Sequence, residues 1–296
     1  SIPNCYELMD LEAMDDAGIR VVQTYPTLQL MGGGIMIGIL DTGIDYRNPL
    51  FRNIDGSTRI AGIWDQTVQT GTMPEGLDYG SEYTEEMINE ALRSENPLEI
   101  VPSMDTNGHG TFIASVAAGG ANLEQRFIGA APEAELAVVK LKQAKSYLKD
   151  FYAIRQDAVC FQENDIMLAM RYLNALARKR NMPLVLCIAL GTNLGGHNGS
   201  SLLSAMLDAY SSVENRSVVV SAGNGAVHRH HFFREFRDMN DTAEAEIRVE
   251  KGVEGFVAEL WTTLPNVMTV AFTSPSGERT GYLTIKQGRE YRENFV

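Results

Sequence analysis

The sequence predicts an α/β fold: a doubly wound, mostly parallel sheet, with a second, β-rich element towards its end. Three observations predict it. Short apolar runs at 35–40, 136–141, 184–190 and 217–222 read as strands buried on both faces, as in a parallel sheet covered by helices. Stretches with helical spacing fall between them, which is the β-α-β alternation of such a sheet. After about Asp241 the pattern turns to short, partly alternating runs broken by Gly and Pro.

The elements follow in order. Ile35 to Leu40 (IMIGIL) is the first strand. Gly108 to Gly120 reads as a tightly packed helix, rich in Ala114, Ala117 and Ala118. Leu136 to Leu141 is the next buried strand. From Asn164, apolar residues recur at Ile166, Met170, Leu173 and Leu176. Arg178, Lys179 and Arg180 then suit the last turn of a helix, and Asn181 can close it. Leu184 to Leu190 is a strand, a helix starts near Ser200 or Ser201 with Leu203, Met206, Leu207 and Tyr210 on one face, and Ser217 to Ala222 is the last of the buried runs. Beyond these, 244–250, 256–261 and 267–273 read as antiparallel strands separated by Gly252, Pro265 and Pro275-Ser276-Gly277. The division expected is therefore residues 1–241, the α/β domain, and 242–296, a β-rich piece.

Composition bounds the function classes. The 296 residues are 44% hydrophobic and 21% charged, which is globular composition with core enough to need no disulfide. A formal net charge of -13 disfavours nucleic acid and anionic membranes as partners. Cys5, Cys160 and Cys187 are odd in number and widely spaced, with no CxxC or Cys/His ligand pattern. Cys187 lies within an apolar run and reads as a small buried hydrophobe. No apolar run approaches the ~20 residues of a membrane-spanning helix, so no membrane insertion is expected. The sequence starts at Ser1 rather than Met, as a processed or cloned form would, and this leaves localisation open.

Three segments carry chemistry. In Ile39-Leu40-Asp41-Thr42-Gly43-Ile44-Asp45 a buried strand ends in an aspartate, and functional groups collect at the carboxyl ends of such strands. Asp41 can orient a histidine there, although an Asx turn or a helix cap would use the same residue. In Asn107-Gly108-His109-Gly110-Thr111 two glycines leave room around an imidazole at a helix start, as a general base needs; a structural histidine in a tight turn fits the same residues. In Val219-Val220-Ser221-Ala222-Gly223-Asn224-Gly225 a strand ends in a small-residue turn that presents an amide, a possible donor to an oxyanion or an ordinary turn asparagine.

Together, in the order Asp, His, Asn, these segments resemble the signatures of the subtilisin-like serine proteases, D-T-G-I-D, N-G-H-G-T and S-A-G-N-G, over Gly34 to Gly225. The resemblance implies a serine endopeptidase acting on a polypeptide substrate, without a cofactor. It implies that Asp41 orients and stabilises the imidazolium, that His109 is the general base and then the general acid, and that Asn224 supplies the side-chain donor of the oxyanion hole. The family's substrate-pairing S-L-G strand corresponds to Ala189-Leu190-Gly191, with Ala in place of Ser; backbone groups do the pairing, so the change matters little.

The departures are informative. The 68 positions between Asp41 and His109 exceed the spacing in compact subtilisins, and 67–105 reads as an inserted acidic surface stretch. Residues 145–165 are another insert. These features, with the β-rich residues after Asn224, resemble the clostridial germination-protease (Csp) group, in which a jelly-roll domain interrupts the catalytic domain between the oxyanion Asn and the Ser. Residues 242–296 then read as the start of that domain. The family's G-T-S-x-A nucleophile segment is absent: no Gly-Thr-Ser occurs among the 296 residues. The expectation is a protease whose serine lies on a missing C-terminal part of the same protein, with a propeptide as a further partner and this fragment inactive alone. The alternative is a catalytically inactive subtilase used as a binding or regulatory scaffold. Weaker signals are His228-Arg229-His230-His231, which lacks a spaced metal-ligand partner, so that no metal is expected, and His197, in a Gly/Asn-rich loop that borders a cleft under the same resemblance. Gly32-Gly33-Gly34 precedes its strand, whereas a dinucleotide fingerprint follows one.

Overall fold

The computed structural model describes residues 11–263 and 265–295. Its centre is a six-stranded sheet built from β1 (Met36–Asp41), β2 (Ile60–Asp65), β3 (Ser81–Thr84), β4 (Glu135–Lys140), β5 (Leu184–Ile188) and β6 (Arg216–Val220), in the order β3-β2-β4-β1-β5-β6. All neighbours are parallel except β3, which runs antiparallel to β2. The helices are α1 (Leu11–Asp16), α2 (Ile19–Thr24), α3 (Glu85–Arg93), α4 (Pro97–Ile100), α5 (His109–Ala118), α6 (Ser146–Phe151), α7 (Glu163–Lys179) and α8 (Leu202–Ser211). Among the described residues, none is long and apolar enough to cross a membrane.

Strand alternation decides what each face packs. Side chains point to opposite faces along a strand. Met36 and Leu40 of β1 join the core formed with Ala169, Met170 and Leu173 of α7. Ile37 and Ile39 join the other core, with Ala114 and Ala118 of α5 and Ile88 of α3. Gly38 lies under α7, where an added Cβ would sit 3.0 Å from both Leu173 and Leu186, so the helix lies close on the strand. By the same alternation Asp41 points to the α5 face.

The predicted elements of the α/β part are found within one or two residues at most ends. In α7, Ile166, Met170 and Leu173 are buried, Leu176 is partly buried, and Asn181 past the last turn has φ 53°, the left-handed conformation that closes a helix. The insert expected at 145–165 ends where α7 begins. Ala144 N donates to Cys160 O at 2.8 Å, and the ammonium of Lys149 gathers Gln143 Oε1 and the Gln156 and Ala158 carbonyls inside the excursion.

Three expectations are corrected. Residues 67–105 form a surface stretch only in part: 67–78 are mostly exposed, whereas β3, α3 and the following residues bury Tyr83, Ile88, Ala91 and Val101, because the apolar face of α3 covers β2. The run 217–222 is not buried on both faces. It forms β6, which pairs only with β5 among the described residues, and Val219 and Val220 are 55% and 56% exposed. The expected strands 244–250 and 256–261 form no ladder, and 267–273 contracts to β7 (Thr269–Val270), which pairs antiparallel with β8 (Leu283–Thr284). An extended segment without a partner strand leaves its backbone groups to water. Cys187 is half-buried against the α5-side core, and Cys5 lies outside the described residues.

By contacts the chain divides into two units. One takes in the chain up to Asn193 with Leu202–Phe256, and contains the sheet of six. The other takes in Leu194–Ser201 and Val257–Val296, and contains the small ladder.

Candidate active site

β1 ends on Asp41, whose side chain is completely buried. Its carboxylate accepts from the Thr42 N–H at 2.7 Å and stands 2.8 and 2.9 Å, by its two oxygens, from Nδ1 of His109. His109 is the first residue of α5, and its side chain keeps 44% of its surface open. Asp41 is an acceptor, so Nδ1 carries the proton in neutral imidazole. That tautomer leaves the Nε2 lone pair available to take a proton.

Local sequence explains how the two residues meet. Gly108, before the helix, adopts φ 89°, which turns the chain into α5 in a conformation glycine reaches without strain. Gly110 then lies directly on the turn after β1: an added Cβ would be 2.2 Å from the Gly43 carbonyl oxygen and 3.1 Å from Cβ of Asp41. Only a residue without a side chain lets the helix start come this close.

Charge compensates the burial. Lys140, at the end of β4, is in register with Asp41 on one side and Asp65 on the other. Its ammonium is 3.5 Å from the buried Asp65 carboxylate, which also accepts from Thr67 N at 2.8 Å, Thr67 Oγ1 at 2.5 Å and Ser103 Oγ at 2.7 Å. A buried carboxylate is tolerated only with such partners.

The remaining candidates lie along the carboxyl ends of adjacent parallel strands. Ala189, Leu190 and Gly191 follow β5; Leu190 packs on the α7-side core, and the backbone at Gly191 is open. Asn224 lies exposed in the turn after β6, preceded by Gly223 with φ 78°. Asp41 and His109 are brought into contact, and Ala189–Gly191 and Asn224 share their edge of the sheet. The rings of His228 and His230 stack with centroids 5.5 Å apart, and His230 Nδ1 is 3.0 Å from Asn193 Nδ2. His197 belongs to the other unit.

Reading the sequence missed Asp105. Its carboxylate accepts from the N–H groups of Asn107, Gly108 and Thr111 and from the hydroxyls of Thr42 and Thr111. An acidic residue just ahead of a helix start is the signal that could have found it.

Comparison with known proteins gives consistent matches. The model of the peptidase S8 subtilase family matches residues 32–285. The solved structure of the Clostridium perfringens CspB protease is similar at 28% identity with a TM-score of 0.74, covering 96% of this chain and 55% of that one. A psychrophilic protease, S41, is similar at 23% identity with a TM-score of 0.43, over 70% of this chain and 52% of that one. Sphericase is similar at 22% identity with a TM-score of 0.43, over 71% and 53%. The chain spans about half the length of these solved structures.

Proposed function

The chain belongs to the subtilase family, and from that premise we propose that it supplies the acid–base half of a serine endopeptidase. The serine comes from a part of the protein outside these residues, since no Gly-Thr-Ser occurs in them. The observation that carries the reading is the contact of a wholly buried Asp41 with Nδ1 of a half-open His109.

In this reading Nε2 of His109 takes the proton of the serine hydroxyl as its oxygen attacks the scissile carbonyl. Asp41 holds the ring in that tautomer and stabilises the imidazolium that forms. The imidazolium gives its proton to the leaving amine. A water molecule then loses a proton to His109 and attacks the acyl-enzyme, and the imidazolium returns that proton to the serine oxygen as the acid is released. The amide of Asn224 donates to the oxyanion of both tetrahedral intermediates. The backbone at Ala189–Gly191 pairs with an extended peptide substrate. Residues 242–296 as the opening of an inserted jelly-roll domain, and a propeptide as a partner, belong to the same proposal.

The test is labelling of the intact native protein with a fluorophosphonate, followed by mass mapping. The expected result is one label, on a Gly-Thr-Ser peptide absent from the 296 residues, and its loss in His109→Ala. Intact, folded protein that takes no label would overturn the reading in favour of an inactive subtilase serving as a scaffold.

A further inference from the structure

No step above uses Asp105, yet its carboxylate gathers five donors. Oδ1 accepts from Thr42 Oγ1 at 2.8 Å, Gly108 N at 2.8 Å and Asn107 N at 3.1 Å. Oδ2 accepts from Thr111 N at 2.8 Å and Thr111 Oγ1 at 2.7 Å. These donors lie on two segments far apart in sequence. Thr42 follows Asp41, and Gly108 and Thr111 flank His109. Two more bonds close the bracket: Gly110 N donates to Thr42 Oγ1, and Asp45 N to Thr111 Oγ1, both at 2.9 Å.

We propose that Asp105 is a positioning residue, whose carboxylate fastens the helix start carrying His109 to the turn carrying Asp41 and thereby sets the imidazole against its carboxylate. The proposal rests on the reading of Asp41 and His109 as the acid–base pair. A helix start leaves its first N–H groups without partners, so an uncapped end frays. His109 is the first residue of α5 and its ring is half open to solvent. Packing therefore holds that ring only in part, and its aim depends on where the backbone is anchored.

A capping role alone needs only the N–H groups of the helix. The bond from Thr42 does more, because it reaches outside the helix to the strand end. The Thr42 hydroxyl is also fixed in direction: it donates to Asp105 while accepting from Gly110 N. Burial works to raise the pKa of Asp105, but the bonds from Thr111, Gly108 and Thr42 outweigh it and hold the carboxyl below its ordinary range. At neutral pH the group is a carboxylate that accepts on both oxygens and has no proton to donate, as five donors require.

The experiment uses the intact native protein and the variants Asp105→Asn, Thr42→Val and Thr42→Ser. It reads the low-field proton signal of the His109 Nδ1–H, the imidazole 15N shifts that report tautomer, and the thermal midpoint. Asparagine keeps the shape but turns an NH2 towards donors on one side of the bracket. Valine removes only the hydroxyl. The expected result is folded Asn and Val variants whose low-field signal is lost and whose Nε2–H tautomer is enriched, with serine restoring the native spectrum. In protein that reacts with fluorophosphonate, the labelling rate falls about 10²-fold, as a displacement on the order of 1 Å can produce. Folded variants with lower melting points and unchanged imidazole spectra would reduce Asp105 to a helix cap and overturn the proposal. If Asp105→Asn fails to fold, Thr42→Val decides. The spectra do not depend on a serine, so a protein that never labels but shows the expected loss refutes the protease reading and leaves the positioning role intact.

Discussion

Two buried carboxylates end strands β1 and β2, which flank β4 in the same sheet, and their partners differ in kind. Asp65 is enclosed by Thr67, Ser103 and Lys140. Asp41 directs both oxygens at a ring that stands nearly half in solvent. A purely structural carboxylate gains most from partners that are themselves buried, and the exposure of His109 is why the proposal assigns the acid–base role to Asp41 rather than Asp65. Asp105 adds a third acidic group, and its titration has a consequence for stability. Its carboxyl in the folded protein is held below the ordinary 3.8, with burial opposing and hydrogen bonds from Thr111, Gly108 and Thr42 prevailing. The folded state therefore binds this proton less readily than the unfolded chain. The contribution is full above that ordinary value and fades as pH falls below it. Urea unfolding between pH 5 and about 2.5 should show stability dropping with acid, and Asp105→Asn should flatten part of that drop; parallel curves for the two proteins would refute this.

The elements meet at the site through close backbone approach. The alternation of β1 sends Ile37, Ile39 and then Asp41 to the α5 face, and Gly110 allows α5 to touch the turn after Asp41. A methyl group on Gly110 would meet the Gly43 carbonyl oxygen at 2.2 Å, which no rotamer relieves because the position of a Cβ is fixed by its own backbone and the oxygen is backbone. Gly110→Ala should cost about 1–3 kcal/mol of stability, the usual range for overpacking, and should also weaken the His109–Asp41 hydrogen bond. Denaturant midpoints and the low-field imidazole signal check both effects. A variant of native stability with the signal intact would show that the turn yields more easily than this packing implies.

At the scale of the molecule, order is concentrated on one side. β1, β2 and β4 are enclosed between α7 on one face and α3 and α5 on the other. At the other side β6 has Val219 and Val220 more than half exposed, and the residues that follow it, 229–256, are exposed and form no helix or strand. Such a segment has few buried contacts to oppose local opening. Brief trypsin digestion should cut first among Arg229, Arg234, Arg237, Arg248 and Lys251, leaving the region from β1 to β6 as one fragment; first cuts inside that region would contradict the assignment.

The sequence by itself determined the α/β class, the buried strands read at 35–40, 136–141 and 184–190, which the fold places at 36–41, 135–140 and 184–188, the helix α7 with its Asn181 closure, and the two segments that hold Asp41 and His109. Those features are periodic or local, and a few neighbouring residues are enough to express them. β2 escaped because its apolar run is short, bounded by Arg59 and Asp65 and interrupted by Gly62. In the fold Arg59 is buried and donates to the carbonyls of Leu50, Ala118 and Ala134, so its charge has partners that no local pattern announces. The tertiary structure alone decided that Asp41 touches His109 across 68 positions and that Asp105 joins their two segments across 63. Hydrogen bonds of that reach exist only after a helix has packed on a strand, and the packing depends on side chains supplied by the whole sheet.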